Sequence, residues 1–203
     1  MSYPARSMSD LSTPPKGLSG SLSGFVKGFR IRAGLAELGN ARSVLDLGCG
    51  LCELIASLPP GIDYAGVERD QWMYDRACAL FPRHRFHRGD IEESSFDVAE
   101  RVDAILLLAV WEHLHDPAAL LTKARRWIND GGRFIATTPA PAAHQVLELG
   151  SKLGLLSRHA DEEHEKLWSF AEIDEIARRT GWRMIRRKRF LLGANQLFVL
   201  EPA

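Results

Sequence analysis

The sequence predicts an α/β fold with a doubly wound, mostly parallel sheet, on three observations. Short apolar runs alternate with stretches of helical periodicity between residues 43 and 138, the rhythm of strand–helix–strand units. One run, residues 102–109, is almost wholly apolar, as a parallel strand covered on both faces must be. The first three runs close on glycine or an acid, at Gly48, Glu68 and Gly89-Asp90, where an open α/β sheet receives its ligands.

The elements follow in order. The first 24 residues hold seven Ser, three Gly and three Pro, a composition that favours turns or disorder, and they read as an N-terminal arm without the apolar stretch of a secretion signal. Residues 25–203 read as one domain. Phe25, Phe29, Leu35 and Leu38 recur at helical spacing up to Gly39-Asn40, which predicts a helix over 25–38. A strand is expected over 43–47, then a helix over 51–58 stopped by Pro59-Pro60. A second strand over 64–67 leads to a helix over 71–80, and a third strand over 85–87 to a weak helix over 94–100. After the fourth strand, 102–109, Asp116 and Pro117 supply an N-cap and a first-turn proline for a helix over 117–128. A fifth strand is expected over 133–138.

The segment 139–168 breaks this rhythm. Its length suits a lid-like insertion on the substrate side better than a plain connection, with a short helix over 146–156. A helix over 169–180 follows, with Ser169 at its N-cap. The runs 182–190 and 196–200 are joined by a short turn around Gly193, so they are expected to form a hairpin that makes at least one edge strand antiparallel.

Charge and cysteine content narrow the functional classes. Lys plus Arg and Asp plus Glu are both 26, for a formal net charge of zero. A protein that coats nucleic acid or an anionic membrane needs a basic excess, so a small molecule is the expected partner, with no nucleic acid. The apolar run 104–111 is far shorter than the roughly 18 residues of a membrane span, so no integral membrane segment is expected. Three cysteines, an odd number, point to free thiols and a cytoplasmic location.

The chemistry concentrates in Val44-Leu45-Asp46-Leu47-Gly48-Cys49-Gly50. An acid stands near the end of the first strand and two glycines form the turn after it, where a ligand can approach bare backbone. Glu68 closes the second strand 22 residues beyond Asp46, the place from which an acid accepts ribose hydroxyls. Asp90 closes the third and can accept from an adenine amino group. Together with AVWEHLHDP and GGRFIATTP, these motifs resemble a class I S-adenosylmethionine-dependent methyltransferase of the small-molecule type. The resemblance is strong over residues 43–139 and looser beyond. It implies a seven-stranded sheet whose last strand is antiparallel. It also implies S-adenosylmethionine as cofactor, with Asp46, Gly48, Cys49 and Gly50 at the methionine end, Glu68 and Arg69 at the ribose, Asp90 and Ile91 around the adenine, and Leu108 and Ala109 near the sulfonium.

One position departs from the pattern: Cys52 stands where the family usually has glycine. At the start of a helix a cysteine can pack, so cofactor binding is expected to survive. Cys49 and Cys52 also spell Cys-x-x-Cys, a redox signature in other settings, but the glycine turn accounts for both positions, and no second cysteine pair exists for zinc. No tyrosine is followed by lysine at the spacing of a short-chain dehydrogenase, and Gly-Lys-Ser/Thr never occurs, which excludes a P-loop.

Methyl transfer to a hydroxyl needs alignment and a base tuned near neutral pH. Trp111-Glu112-His113-Leu114-His115 follows the fourth strand, at the rim that faces the cofactor. His113 and His164 are the candidate bases. His164 stands before the helix opened by Ser169, as in the ubiquinone-pathway O-methyltransferases that this region resembles. His115 is expected to face solvent. Arg183, Arg186, Arg187, Lys188 and Arg189 either protect an edge strand or dock an anionic partner. The resulting expectation is methyl transfer to a small-molecule acceptor with oxygen favoured. The alternative is a cofactor-binding regulator or partner subunit without turnover.

Overall fold

A computed structural model describes residues 21–143 and 166–203. Helix α1 (Ser21–Leu35) leads into β1 (Ser43–Leu47), and β2 (Asp63–Glu68), α2 (Gln71–Leu80) and β3 (Arg85–Arg88) follow. Then come β4 (Val102–Leu108), α3 (Pro117–Trp127), β5 (Ile128–Pro139), α4 (Phe170–Arg179), β6 (Trp182–Phe190) and β7 (Asn195–Pro202). Residues 1–20 of the expected arm, the expected helix 146–156 and the histidines at 144, 159 and 164 lie outside the described residues.

The seven strands form one sheet in the order β3-β2-β1-β4-β5-β7-β6. The order reverses at β1, beside β4, which places the ligand crevice at the carboxyl ends of those two strands. β7 runs antiparallel to both neighbours. The expected hairpin is therefore present, and the reversed strand is inserted one place in from the edge, with β6 outermost.

Side chains alternate along the strands into two cores. Leu45, Leu47, Ile105, Leu107, Phe134 and Phe198 join Trp127 of α3 and Ile173 of α4 on one face. Val44, Tyr64, Leu106, Ile135 and Val199 pack on the other, where α1 contributes Ile31 and Leu35. This two-sided cover explains the unbroken apolar run of β4. Asp116 caps α3 by accepting from the Ala119 amide at 3.0 Å, and Ser169 and Glu172 close a reciprocal capping box on α4, as the sequence pattern requires.

Three expected elements come out differently. The helix over 51–58 is a short 3-10 helix, Glu53–Ser57. The segment 94–100 forms turns rather than a helix: Asp97 takes a 2.5 Å hydrogen bond from the Trp127 indole, and Lys123 donates to the carbonyls of Ile91 and Glu93, so nearby polar groups are engaged outside a helical ladder. The fifth strand begins at Ile128, with an irregular step in its pairing to β4 between Val102 and Ala104. There Gly132 lies so close to Asp103 that a Cβ would sit 2.8 Å from its carbonyl oxygen.

β6 is an exposed edge strand, and two of its four arginines are engaged locally: Arg186 pairs with Glu37 at 3.0 Å and Arg183 with Glu201 at 3.8 Å. This favours the edge-protecting role of its charges.

Candidate active site

The turn after β1 is held by β2. The amides of Gly48 and Cys49 both donate to the Val67 carbonyl, at 2.9 and 3.0 Å. Gly48 has φ 74°, and a Cβ there would lie 2.7 Å from Val110, so both conformation and space demand glycine. At Gly50, φ 54°, a Cβ would meet nothing within 4 Å, so the space beside the turn is open there.

Glu68 is buried and grips this turn. One carboxylate oxygen accepts from the Gly50 amide and the other from the Asp70 amide, each at 2.9 Å. Asp46, 4% exposed, accepts from the Tyr64 hydroxyl at 2.9 Å. Burial pushes its carboxyl up to about 7; the Tyr64 hydrogen bond opposes the rise and the nearby Glu68 charge adds to it. Asp90 accepts from the Glu92 amide at 2.9 Å and stands 3.6 Å from the largely exposed Arg69 guanidinium. Ile91 is buried beside it.

Cys52 corrects the sequence reading. It precedes the 3-10 helix with φ 59°, in the left-handed region, which explains why glycine is usual here. Its side chain is fully buried with Cys49 and Ala77. A hydrogen bond of the Cys49 thiol with Cys52, together with burial and the Asp46 charge, raises the Cys49 thiol well above its ordinary range, so it is a poor thiolate and a poor redox nucleophile.

At the end of β4, Leu108 packs against Gly34 of α1, where a Cβ would be 2.9 Å from its methyl. Helix α1 thus covers this strand end. Ala109 adopts φ 60° and donates to Thr137 at 2.9 Å. The next turn buries Trp111 and Glu112 and leaves His113 exposed. His115 also faces solvent, as expected, though its ring lies 2.9 Å from Glu92. Burial raises the Glu112 carboxyl, against the lowering influence of Arg30, Thr138 and His113.

Several residues here escaped the sequence reading. Arg30 of α1 donates to Asn195 at 2.7 Å and brings its charge to Glu112. Gln196 donates to the carbonyls of Trp168 at 2.5 Å and Pro139 at 3.4 Å. Asn195-Gln196 opening an otherwise apolar strand was the available signal for this pair. The described residues contain no cluster of three or more metal-ligating side chains and no helix long and apolar enough to cross a membrane. Surface depressions lined by Asn40, Asp103 and Arg133, or by Leu35 and Pro59, include none of the predicted site residues; the site follows the strand ends instead.

Comparison with known proteins gives the same picture. "Probable S-adenosylmethionine-dependent methyltransferase/" of Mycolicibacterium smegmatis is 31% identical over 108 residues, 52% of this chain and 41% of that protein. The chain's matches span only 30% and 41% of the curated relatives' own lengths. Among solved structures, the TehB-like SAM-dependent methyltransferase of Corynebacterium glutamicum superposes with TM-score 0.62 at 21% identity, covering 86% of this chain and 87% of that one. The mitomycin 7-O-methyltransferase MmcR superposes with TM-score 0.68 at 20% identity, over 91% of this chain and 55% of that one. A family profile described as a methyltransferase domain matches residues 23–187. The chain belongs to that methyltransferase family and carries the class I fold of the S-adenosylmethionine-dependent enzymes.

Proposed function

We propose that the protein transfers a methyl group from S-adenosylmethionine to a small-molecule acceptor, with oxygen as the favoured acceptor atom and no nucleic-acid partner. The observation that carries the reading is the Glu68 carboxylate, which fixes the glycine turn while standing at the end of β2. Each of its oxygens accepts one amide and keeps a lone pair for a ribose hydroxyl. The open space beside Gly50 fits the methionine end, with Asp46, Gly48 and Cys49 around it. Asp90 and Ile91 suit the adenine, Arg69 flanks the ribose, and Leu108 and Ala109 face the transferred group. Bound there, S-adenosylmethionine supplies an electrophilic methyl carbon on a sulfonium.

The remaining task for this chain is to align an acceptor and take its proton. His113, exposed on the turn after β4, is the first candidate to hold that proton, and His164 the second. The oxygen preference draws support from the 7-O-methyltransferase neighbour. The decisive measurement is titration calorimetry with S-adenosylhomocysteine, which is expected to bind; no binding overturns the proposal. His113→Ala is expected to bind it normally and lose methyl transfer, and intact transfer removes His113 from the mechanism.

A further inference from the structure

Among the described residues, unmet buried polar atoms gather most densely beyond β4, β5 and the start of β7, beside a few others at Trp72, His87 and Glu100. On the acceptor side, Glu112 Oε2, Thr138 Oγ1, Gln196 Oε1, Trp111 Nε1 and Trp168 Nε1 are all buried and have no hydrogen-bond partner among the described residues. Native proteins leave a few such atoms per hundred residues, scattered. These five are neighbours. Thr138 and Gln196 stand directly opposite each other across β5 and β7, on one face of the sheet. The Thr138 hydroxyl faces the Glu112 carboxyl yet closes no hydrogen bond of normal geometry. The Trp111 and Trp168 rings meet edge-on at 6.2 Å, and Trp111 lies 4.9 Å from Phe198, two residues beyond Gln196 on the same face.

Resting on the methyltransferase reading, we infer that these five side chains form the recess that receives a neutral, hydroxyl-rich end of the methyl acceptor. The mixture of unmet groups decides the class. Gln196 Oε1 only accepts, the two indoles only donate, and the Thr138 hydroxyl does both. A carboxylate ligand has nothing to donate to Gln196, and an ammonium has no lone pair for the indoles. Hydroxyl groups serve both, and they are neutral, which suits a recess where Glu112 already has the Arg30 charge beside it. A single water makes two to four hydrogen bonds and cannot meet five groups disposed around two indole rings.

The test follows the indole N–H resonances of Trp111 and Trp168 by NMR in protein saturated with S-adenosylhomocysteine. The probes are myo-inositol and methyl glucoside, with benzoate and butylamine as anionic and cationic contrasts. The hydroxyl-rich probes are expected to shift both resonances saturably, and the contrasts to leave them in place. Thr138→Val, which keeps the shape of the side chain, and Glu112→Gln are each expected to weaken the probe by about tenfold, the effect of one lost hydrogen bond in a buried site, without changing S-adenosylhomocysteine affinity. An equal or stronger response to benzoate or butylamine, no response to any probe, ordered water only in a probe-soaked crystal, or unchanged probe affinity in Thr138→Val overturns the inference. Failure to bind S-adenosylhomocysteine is a different result, since it removes the methyltransferase reading itself.

Discussion

The carboxylates at the ends of β1, β2 and β3 are already engaged within the protein, whereas the ends of β4, β5 and β7 gather polar atoms that the described residues leave unmet. Asp46 has Tyr64, Glu68 has two amides and Asp90 has one. Across the crevice, Glu112, Thr137, Thr138 and Gln196 each retain an unmet oxygen. The two halves solve different problems. A cofactor common to a whole family can be met by a preorganised set of acceptors braced by backbone. On the reading proposed above, the methyl acceptor is met by groups that wait for it, and a buried group that waits costs stability.

The largest effect expected from this contrast is on the pH dependence of stability. The Asp46 carboxyl, faced by Tyr64, Glu68 and Cys49, titrates at about 7 instead of 3.8. The folded state therefore holds a proton that the unfolded state has released between these values, so this group's contribution to stability falls as pH rises through that window, on the order of 4 kcal/mol in all. Above about 7 both states are ionised and the loss is complete. Urea unfolding at pH 5 and pH 8 reads about 3 kcal/mol of it, and Asp46→Asn is expected to flatten the difference. Glu68→Ala comes next: it removes two charge-assisted hydrogen bonds from the turn, and calorimetry is expected to show S-adenosylhomocysteine binding weakened at least about 100-fold.

A matched pair of hydroxyl deletions separates the halves by sign. Tyr64→Phe strips Asp46 of its donor and is expected to cost about 1–3 kcal/mol at pH 8. Thr137→Val removes a fully buried hydroxyl that has no partner and is expected to stabilise by about 1 kcal/mol. Thermal unfolding reads both, and a loss in the second variant would erase the distinction drawn here. The smallest effect belongs to Cys52. Cys52→Ala keeps the left-handed strain and loses buried sulfur, while Cys52→Gly loses the side chain and relieves the strain. The glycine variant is expected to be the more stable of the two by about 0.5–1 kcal/mol in the same melts.

The sequence and the structure agree where one local rule decides. Asp116-Pro117 and Ser169-Glu172 cap helices because their partners lie three residues away, and the β4 run is apolar because both faces are covered. The acids at 46, 68 and 90 were legible because each closes a strand beside a glycine or a turn. Cys52 was misread because nothing in its neighbours announces a left-handed φ. The turns at 94–100 depend on Trp127 and Lys123, which arrive from another element. The acceptor side was hidden for the same reason: Thr138 and Gln196 are 58 residues apart in the sequence, and only the antiparallel register of β5 and β7 sets them face to face.

The Gln196 amide holds together the carbonyls of Pro139, the last residue of β5, and Trp168, just before α4. One side chain of β7 thus joins the two points between which the segment 140–167 runs. Loop closure entropy grows only with the logarithm of length, about 0.6 kcal/mol for each doubling. Exchange of that stretch for one of different length is consequently cheap for the fold. A chain in which the segment between Pro139 and Trp168 is replaced by one of twice the length, with Gln196 kept, is therefore expected to lose only about 0.6 kcal/mol of stability.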